Sequence, residues 1–203
     1  MAAGPDAWRP ACWRRRIHMP DLRPDFGTLR PMTDADLAQV LAWRNHPDIR
    51  ANMYTQNEIT LEEHRAWWER VKASPTFAFF IYERAGVPTG YVAFSEIARG
   101  SNTATWGFYT APDAPKGTGS LMSFAAMDMA FGPLALRKLN AEAIRRNAAS
   151  LRLHESFGFR GEGLFRDHVL IGDALDDVHR LALFARDWAA LRPTKLQSLT
   201  ERL

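Results

Sequence analysis

A short glycine-containing turn is the first feature of this sequence that could do chemistry. Lys116, Gly117, Thr118, Gly119 and Ser120 follow one another between a predicted strand and a long apolar helix. Glycines let the main chain approach a ligand closely, and the unpaired N–H groups at a helix N-terminus attract an anion such as a pyrophosphate. A strand-to-helix turn that needs positive φ would use the same glycines, so both interpretations stay open. Neither the GxxxxGK[ST] pattern nor a complete GxGxxG is present.

A second motif lies farther along the chain, after another predicted strand. Residues 147–159 are NAASLRLHESFGF. A strand, a GxG turn, a helix, a strand and then N-x-x-[AS]-x-x-[LF]-x-E-x-x-G-F, in that order, resemble the GNAT superfamily of acetyl-CoA-dependent N-acetyltransferases. The resemblance extends over about residues 28–190, and two motifs in the right structural order are far more specific than either alone.

The resemblance implies a site for acetyl-CoA made largely of backbone. The residues that it assigns to this site are Phe108, Tyr109, Lys116, Gly117, Thr118, Gly119, Ser120, Asn147 and Ser150. The glycine turn would hold the pyrophosphate, and the edge of strand 103–110 would pair with the pantetheine amides. Asn147 would contact the pantetheine arm, and Lys116 would either meet a phosphate or remain solvated. Ala114 stands where the family usually has Arg or Gln.

The proton transfers of an acetyl transfer need an acid and a base. Many GNAT enzymes have a tyrosine where this chain has His154, and its hydroxyl protonates the departing thiolate. A histidine with a pKa of about 6.5 can make the same donation, or it can be a structural hydrogen-bonding group. For the general base we expect Ser95 or Glu96 at the end of a central strand, ahead of Glu142.

The segment before the central strands carries a further resemblance. The string W-R-N-H-P-x-I-R-x-x-M-Y-T followed by I-T-L-E-E-H is similar to the pseudaminic acid pathway acetyltransferases, which act on a UDP-linked amino-dideoxy sugar for flagellin glycosylation. The resemblance implies that Arg44 and His64 address the diphosphate and that Met53, Tyr54 and Trp67 address the nucleotide. Tyr109 would face the acceptor amine. Glu96 and His154 depart from that group, in which a basic residue can stand at the position of Glu96.

Two alternatives compete with an amino-sugar acetyltransferase. A Rim-type protein N-terminal or ribosomal-protein acetyltransferase would share the fold and the coenzyme motifs, but it should have an open, acidic groove for a peptide. A non-catalytic acyl-CoA-binding module would bind the coenzyme tightly without acetylating any amine. For each aromatic residue of the acceptor segment, taken singly, an ordinary place in the hydrophobic core is the alternative interpretation.

The elements that must position these residues follow from the hydrophobic pattern. Two capped helices, opened by Thr33 and Thr60, precede strands at 77–84, 90–97 and 103–110. A buried helix at 118–134, a strand at 139–144, a helix at 148–156 and a terminal hairpin at 161–171 and 178–186 follow. This order predicts an α/β (α+β) GNAT fold. We expect a mixed, mostly antiparallel seven-stranded sheet with helices on both faces, splayed between strands 103–110 and 139–144.

Composition bounds the class of protein and the partners. The chain has 203 residues, of which 46% are hydrophobic and 24% charged, and its formal charge is +3. This composition is typical of a folded domain, which we expect at 26–192. We expect an extended or disordered extension at 1–25 and a tail at 193–203. Because Cys12 is the single cysteine, we expect no intramolecular disulfide. Because no Cys/His cluster has zinc-ligand spacing, we expect no metal site. We expect a cytoplasmic enzyme for a small nucleotide-sugar substrate, without membrane or nucleic-acid partners, and leave a homodimer open.

Overall fold

The computed structural model describes residues 26–203. The extension predicted at 1–25 lies outside the described residues. The elements, in chain order, are β1 (Thr28–Pro31), α1 (Leu37–Asn45), α2 (Pro47–Arg50), α3 (Leu61–Val71), β2 (Ala78–Arg84), β3 (Val87–Ala98), β4 (Thr103–Thr110), α4 (Thr118–Phe131), β5 (Lys138–Ile144), α5 (Ala148–Ser156), β6 (Arg160–Ile171), β7 (Ala174–Phe184) and α6 (Ala185–Thr200).

The strands form one seven-stranded sheet in the order β1-β2-β3-β4-β5-β7-β6. Every neighbouring pair is antiparallel except β4 and β5, which are parallel. A parallel pair needs a crossover, and α4 supplies it. The predicted mixed, mostly antiparallel sheet is therefore confirmed.

The two central strands β4 and β5 pair over only part of their length. Their pairing begins at Thr103 with Lys138 and ends at Trp106 with Ala141. Beyond these residues the strands diverge, which leaves the second half of β4 without a partner on this side. The predicted splay is confirmed, and it opens a cleft in the middle of the sheet.

Side chains alternate across the strands, so the sheet buries a different cluster on each face. One face carries Ala104 and Trp106 of β4 and packs against α4 and α6. The opposite face carries Tyr91 and packs against α1 and α3, with Tyr109 partly buried at its margin. Helices thus cover both faces, as predicted.

Local capping explains where α3 begins. The Thr60 hydroxyl accepts a hydrogen bond from the Glu63 amide, and the Glu63 carboxylate accepts one from the Thr60 amide at 2.7 Å. This reciprocal pair satisfies amides that have no partner within the helix. The residues of α3 that face the sheet, among them His64 and Trp68, are buried as a result.

The C-terminal region differs from its prediction. Residues 193–203 were expected to be a tail, but α6 continues through Pro193 to Thr200, and Leu199 is only 5% exposed. Contacts with α4 hold this helix: the Trp188 indole N–H donates to Asp128 at 3.0 Å, and Arg192 donates to both oxygens of Asp128 at 2.8 Å. Side-chain pairing across helices thus outweighs the unfavourable proline.

Candidate active site

A cleft of about 840 Å³, partly open to solvent, lies where β4 and β5 diverge. Most of the predicted site residues line it. These are Arg44, Met53, Tyr54, Ser95, Phe108, Tyr109, Lys116, Gly117, Thr118, Gly119, Asn147, Ser150 and His154. The fold therefore brings together residues from the N-terminal helices, the central strands and both crossover helices.

The glycine turn forms one end of this cleft. Gly117 has φ of +88°, and a side chain at Gly119 would first meet Thr110 Cγ2 at 3.9 Å, so the space around the turn is open. The Thr118 hydroxyl donates to the Pro115 carbonyl at 2.7 Å, which fixes the turn ahead of α4. The Thr118 and Ser120 amides donate to the Pro115 and Gly117 carbonyls at 3.1 and 3.0 Å, so the amides of Gly117 and Gly119 are the ones left for an anion at the start of this 14-residue helix.

The unpaired half of β4 forms the floor of the cleft. Residues 107–110 pair with β3 on one side but have no strand partner on the side of β5. Their backbone N–H and C=O groups can therefore pair with the amides of an extended ligand. Together, an anion site and a free strand edge fit the two halves of coenzyme A, its pyrophosphate and its pantetheine arm.

Helix α5 closes the other wall with polar groups. Asn147 caps the helix because its Oδ1 accepts from the Ser150 amide at 3.0 Å. His154 Nδ1 lies 2.7 Å from the Ser150 carbonyl oxygen and 3.3 Å from the Ser150 hydroxyl. Since the carbonyl can only accept, Nδ1 carries the proton and Nε2 remains an acceptor.

Aromatic rings surround His154 and control its charge. The rings of Trp106, Phe108 and Phe159 have centroids 5.4, 5.8 and 4.9 Å from the imidazole. The histidine is 3% exposed. Burial lowers its pKa below the usual 6.5, and the hydrogen bond with the Ser150 backbone opposes this only in part. Burial thus favours the neutral imidazole over the imidazolium.

Comparison with known proteins agrees with this geometry. The acetyltransferase (GNAT) domain family matches residues 28–160. The chain belongs to the GNAT acetyltransferase family. It is thus an acetyl-CoA-dependent N-acetyltransferase, and acetyl-CoA is its co-substrate.

Individual relatives are distant. Acetyltransferase PseH of Campylobacter jejuni is 24% identical over 160 residues, which cover 79% of this chain and 93% of that protein. The probable N-acetyltransferase YjcK of Bacillus subtilis is 28% identical over 142 residues, 68% of this chain and 78% of that one. The spermidine N-acetyltransferase of Vibrio cholerae, solved with CoA and spermine, superposes with a TM-score of 0.76 at 22% identity over 80% of this chain and 97% of its own.

Helix α1 contributes an arginine, Arg44, to the wall of the cleft. Arg44 is half-buried, its Nη2 donates to the Thr55 carbonyl at 2.5 Å, and its buried Nη1 has no hydrogen-bond partner among the described residues. Burial lowers the pKa of Arg44. A desolvated cationic donor without a partner is costly, and the guanidinium of Arg44 belongs to a residue that lines the cleft.

Tyr109 lies beside this arginine. Its ring stacks on Tyr91 with centroids 4.8 Å apart, and burial raises its pKa well above the ordinary value. Tyr109 therefore stays a neutral phenol, able to donate or accept a hydrogen bond, at any pH at which the protein would be assayed.

Four predicted site residues do not line the cleft. His64 is 5% exposed and stacks on Trp67 at 5.1 Å, so both pack between α3 and the sheet, behind Arg44. Glu96 lies at a β-bulge, where its carboxylate accepts from the Thr105 hydroxyl at 2.7 Å, outside the lining. Ser120 also lies outside the lining. Direct contact of these side chains with a ligand in the cleft does not follow from this geometry.

Glu142, which the sequence ranked behind Ser95 and Glu96, is an acid that the structure places in the cleft. It lines the cleft on β5, and its ionic partner, Arg180, lies opposite it on β7. No local pattern marks Arg180, because the pairing depends on the register of two strands.

Among residues 26–203, no three His, Cys, Asp or Glu side chains form a group that could hold a metal ion. No helix in the same range is long and apolar enough to cross a membrane.

Proposed function

We propose that this chain transfers an acetyl group from acetyl-CoA to the 4-amino group of a UDP-linked amino-dideoxy sugar, in cytoplasmic pseudaminic acid biosynthesis for flagellin glycosylation. The observation that carries the proposal is Arg44, a half-buried arginine that lines the cleft and whose guanidinium is not fully hydrogen-bonded by the described residues. An anionic diphosphate is a natural partner for such a group. Kinship with PseH, at low identity, supports the same substrate class.

The acceptor side offers further support for a nucleotide. Met53 and the exposed Tyr54 line the cleft near Arg44 and supply flat, apolar surface for a base. Burial, together with the nearby charge of Arg44, lowers the pKa of His64. In our proposal His64 and Trp67 support Arg44 from behind, and Arg44 itself meets the diphosphate.

On the coenzyme side, acetyl-CoA supplies the activated acetyl thioester. Within the turn at 117–120, the amides of Gly117 and Gly119 bind the pyrophosphate, because those of Thr118 and Ser120 donate to backbone carbonyls, and Lys116 lies nearby. The free edge of β4 at Phe108 and Tyr109 orients the pantetheine arm, and Asn147 and Ser150 bind it from α5. The cleft geometry supports these roles because all of these residues except Ser120 line it.

Proton transfer is the role that we propose for His154. The amine, once neutral, attacks the thioester carbon; the N–C bond forms and the C–S bond breaks. His154 Nε2 takes one proton from the attacking nitrogen and gives it to the departing sulfur, so the same residue acts as base and then as acid. Ser95, whose hydroxyl donates to the Thr105 carbonyl at 3.3 Å, is the candidate for holding a water that accepts the earlier ammonium proton.

An acetyl-transfer assay with three acceptors tests the proposal. A UDP-linked 4-amino sugar, an N-terminal peptide and spermidine are compared at equal concentration by release of free coenzyme A. We expect the nucleotide sugar to have a kcat/KM at least about a hundredfold higher than that of the others, because only it engages Arg44. Preference for the peptide would support a Rim-type enzyme instead. Tight coenzyme binding with no turnover would support a non-catalytic module.

A further inference from the structure

A chain of three side chains bridges the cleft on its acceptor side. The Tyr54 hydroxyl donates to Glu142 Oε2 at 2.7 Å, and Arg180 Nη1 donates to Glu142 Oε1 at 2.7 Å. Tyr54 and Glu142 are 88 positions apart in the chain. Each carboxylate oxygen of Glu142 thus has its own donor, one from a loop over the cleft and one from the sheet.

Glu142 occupies a special position in the sheet. It follows Ala141, the last residue of β5 that pairs with β4, so its carboxylate lies where the strands part. Asp48 is the other acid of the lining, and its side chain is 92% exposed on α2, whereas that of Glu142 is 27% exposed. Among the described residues that line the cleft, Glu142 is therefore the one partly desolvated negative charge.

Arg180 holds this charge from outside the cleft. It is the cross-strand neighbour of Glu142, and its side chain is 25% exposed without lining the cleft. A charge-assisted hydrogen bond from a planar guanidinium restricts the rotamer of the carboxylate. The restriction directs Oε2 toward the cleft, where Tyr54 now donates.

We infer that Glu142 receives the protonated amine of the acceptor, that this ammonium displaces the Tyr54 hydroxyl from Oε2, and that Arg180 is the positioning residue for the carboxylate. The inference rests on the proposed function and adds to it a determinant of specificity for an amine over a hydroxyl.

Replacement of the Tyr54 hydroxyl by an ammonium at Glu142 Oε2 is favourable because of the charge of the ammonium. Partial desolvation and the hydrogen bond to Glu142 raise the pKa of Tyr54, so the Tyr54 hydroxyl, on a side chain that stays 45% exposed, is a neutral donor. A cationic N–H makes a stronger hydrogen bond to a carboxylate than a neutral phenol does. A hydroxyl on the acceptor would have no such advantage over Tyr54. The inference concerns recognition, and the proton that the ammonium loses before attack leaves through water in the open cleft.

Calorimetry on the full chain, with two ligands, tests this inference. One ligand is the UDP-linked 4-amino sugar, and the other is the same UDP-linked sugar with a hydroxyl at that carbon. We expect wild type to bind the amine about tenfold to a hundredfold more tightly. Glu142→Gln should reduce this ratio to about threefold or less, while the affinity for the hydroxyl ligand stays the same.

Four further variants separate positioning from simple structural support. Arg180→Gln should lower the amine preference, and Arg180→Lys should restore part of it, because a lysine keeps the charge. Tyr54→Phe should tighten amine binding, because the competing hydroxyl is gone. Glu162→Gln removes an acid that pairs with Lys138 at 2.7 Å outside the cleft, and it should leave the preference unchanged.

The outcomes separate this inference from the proposed function. If both UDP ligands bind but the amine preference survives in Glu142→Gln, the inference is overturned and the proposed function stands. If Tyr54→Phe weakens amine binding, displacement of the hydroxyl is overturned. If neither UDP ligand binds the wild-type protein, the proposed function fails and this inference fails with it.

Discussion

His154 Nδ1 and the Ser150 carbonyl oxygen lie 2.7 Å apart within α5. This contact selects the tautomer of the imidazole, because a carbonyl oxygen can only accept a hydrogen bond. The surrounding aromatic rings remove water and lower the pKa of the histidine. Helix geometry and burial together leave a neutral imidazole whose Nε2 is free to accept a proton.

Loss of this imidazole should slow the chemical step. We expect His154→Ala to lower kcat by about a hundredfold to ten-thousandfold, the range typical of a general acid or base, with little change in the Kd of acetyl-CoA. His154→Tyr, which introduces a hydroxyl donor, should keep much of the activity. Steady-state kinetics and calorimetry measure both quantities. An alanine variant within about threefold of wild type would reduce His154 to a structural role.

The pH dependence of kcat should show which form of His154 is active. Because burial lowers its pKa below 6.5, the neutral form persists as the pH falls from 8 to 6.5. We expect the contribution of the imidazole to kcat to be lost only below this range, when the imidazole takes up a proton and loses its acceptor. His154→Tyr should lack that acidic limb. A kcat that instead rises as the pH falls from 7 to 6 would identify the imidazolium as the active form.

Substitutions at Gly119 should distinguish an effect on folding from an effect on coenzyme binding. Gly119→Ala adds a methyl group whose nearest neighbour is 3.9 Å away, so the free protein should fold normally. Gly119→Asp should abolish coenzyme A binding, because the side chain and its charge would occupy the space of the pyrophosphate. Calorimetry measures the affinity, with Gly100→Asp, at an open turn elsewhere, as the control. Undiminished affinity in a folded Gly119→Asp protein would exclude the site.

We expect Arg44 to contribute to binding of the acceptor and not to binding of the coenzyme. Arg44→Met keeps much of the apolar stem but removes the charge, so we expect KM for a UDP-linked acceptor to rise about tenfold to a hundredfold. The Kd of acetyl-CoA should stay within about twofold, since coenzyme binding uses the other end of the cleft. Arg70→Met, on the last turn of α3 and outside the lining, serves as the control. Equal losses for both ligands would show that Arg44 supports the fold instead.

Helix α6 should depend on one acid of α4. Asp128 accepts hydrogen bonds from Trp188 and Arg192, so Asp128→Ala leaves both donors without this partner. We expect the free energy of unfolding, measured with urea, to fall by about 3 kcal/mol. Asp113→Ala, in the exposed loop before α4, should change it by less than about 0.5 kcal/mol. A similar small change for Asp128→Ala would contradict the role of this contact in holding α6.

Much of the fold, and the candidate coenzyme site, could be predicted from the sequence because the signals are local. The glycine turn, the cap at Thr60 and the motif that begins at Asn147 each act within a few residues of the chain. The alternation of apolar residues predicts strands, and the order of elements predicts which strands can be neighbours. The parting of β4 and β5 also followed from that order through the family resemblance.

The tertiary structure alone decided what depends on contacts across elements. The sequence shows Asp128 as a lone charge in an apolar helix, and packing supplies Trp188 and Arg192 as its partners. Burial between α3 and the sheet takes His64 out of the cleft. Strand register brings Arg180 to Glu142. A single-residue shift in register would turn either side chain to the other face of the sheet, and no local pattern encodes register between strands that are distant in sequence.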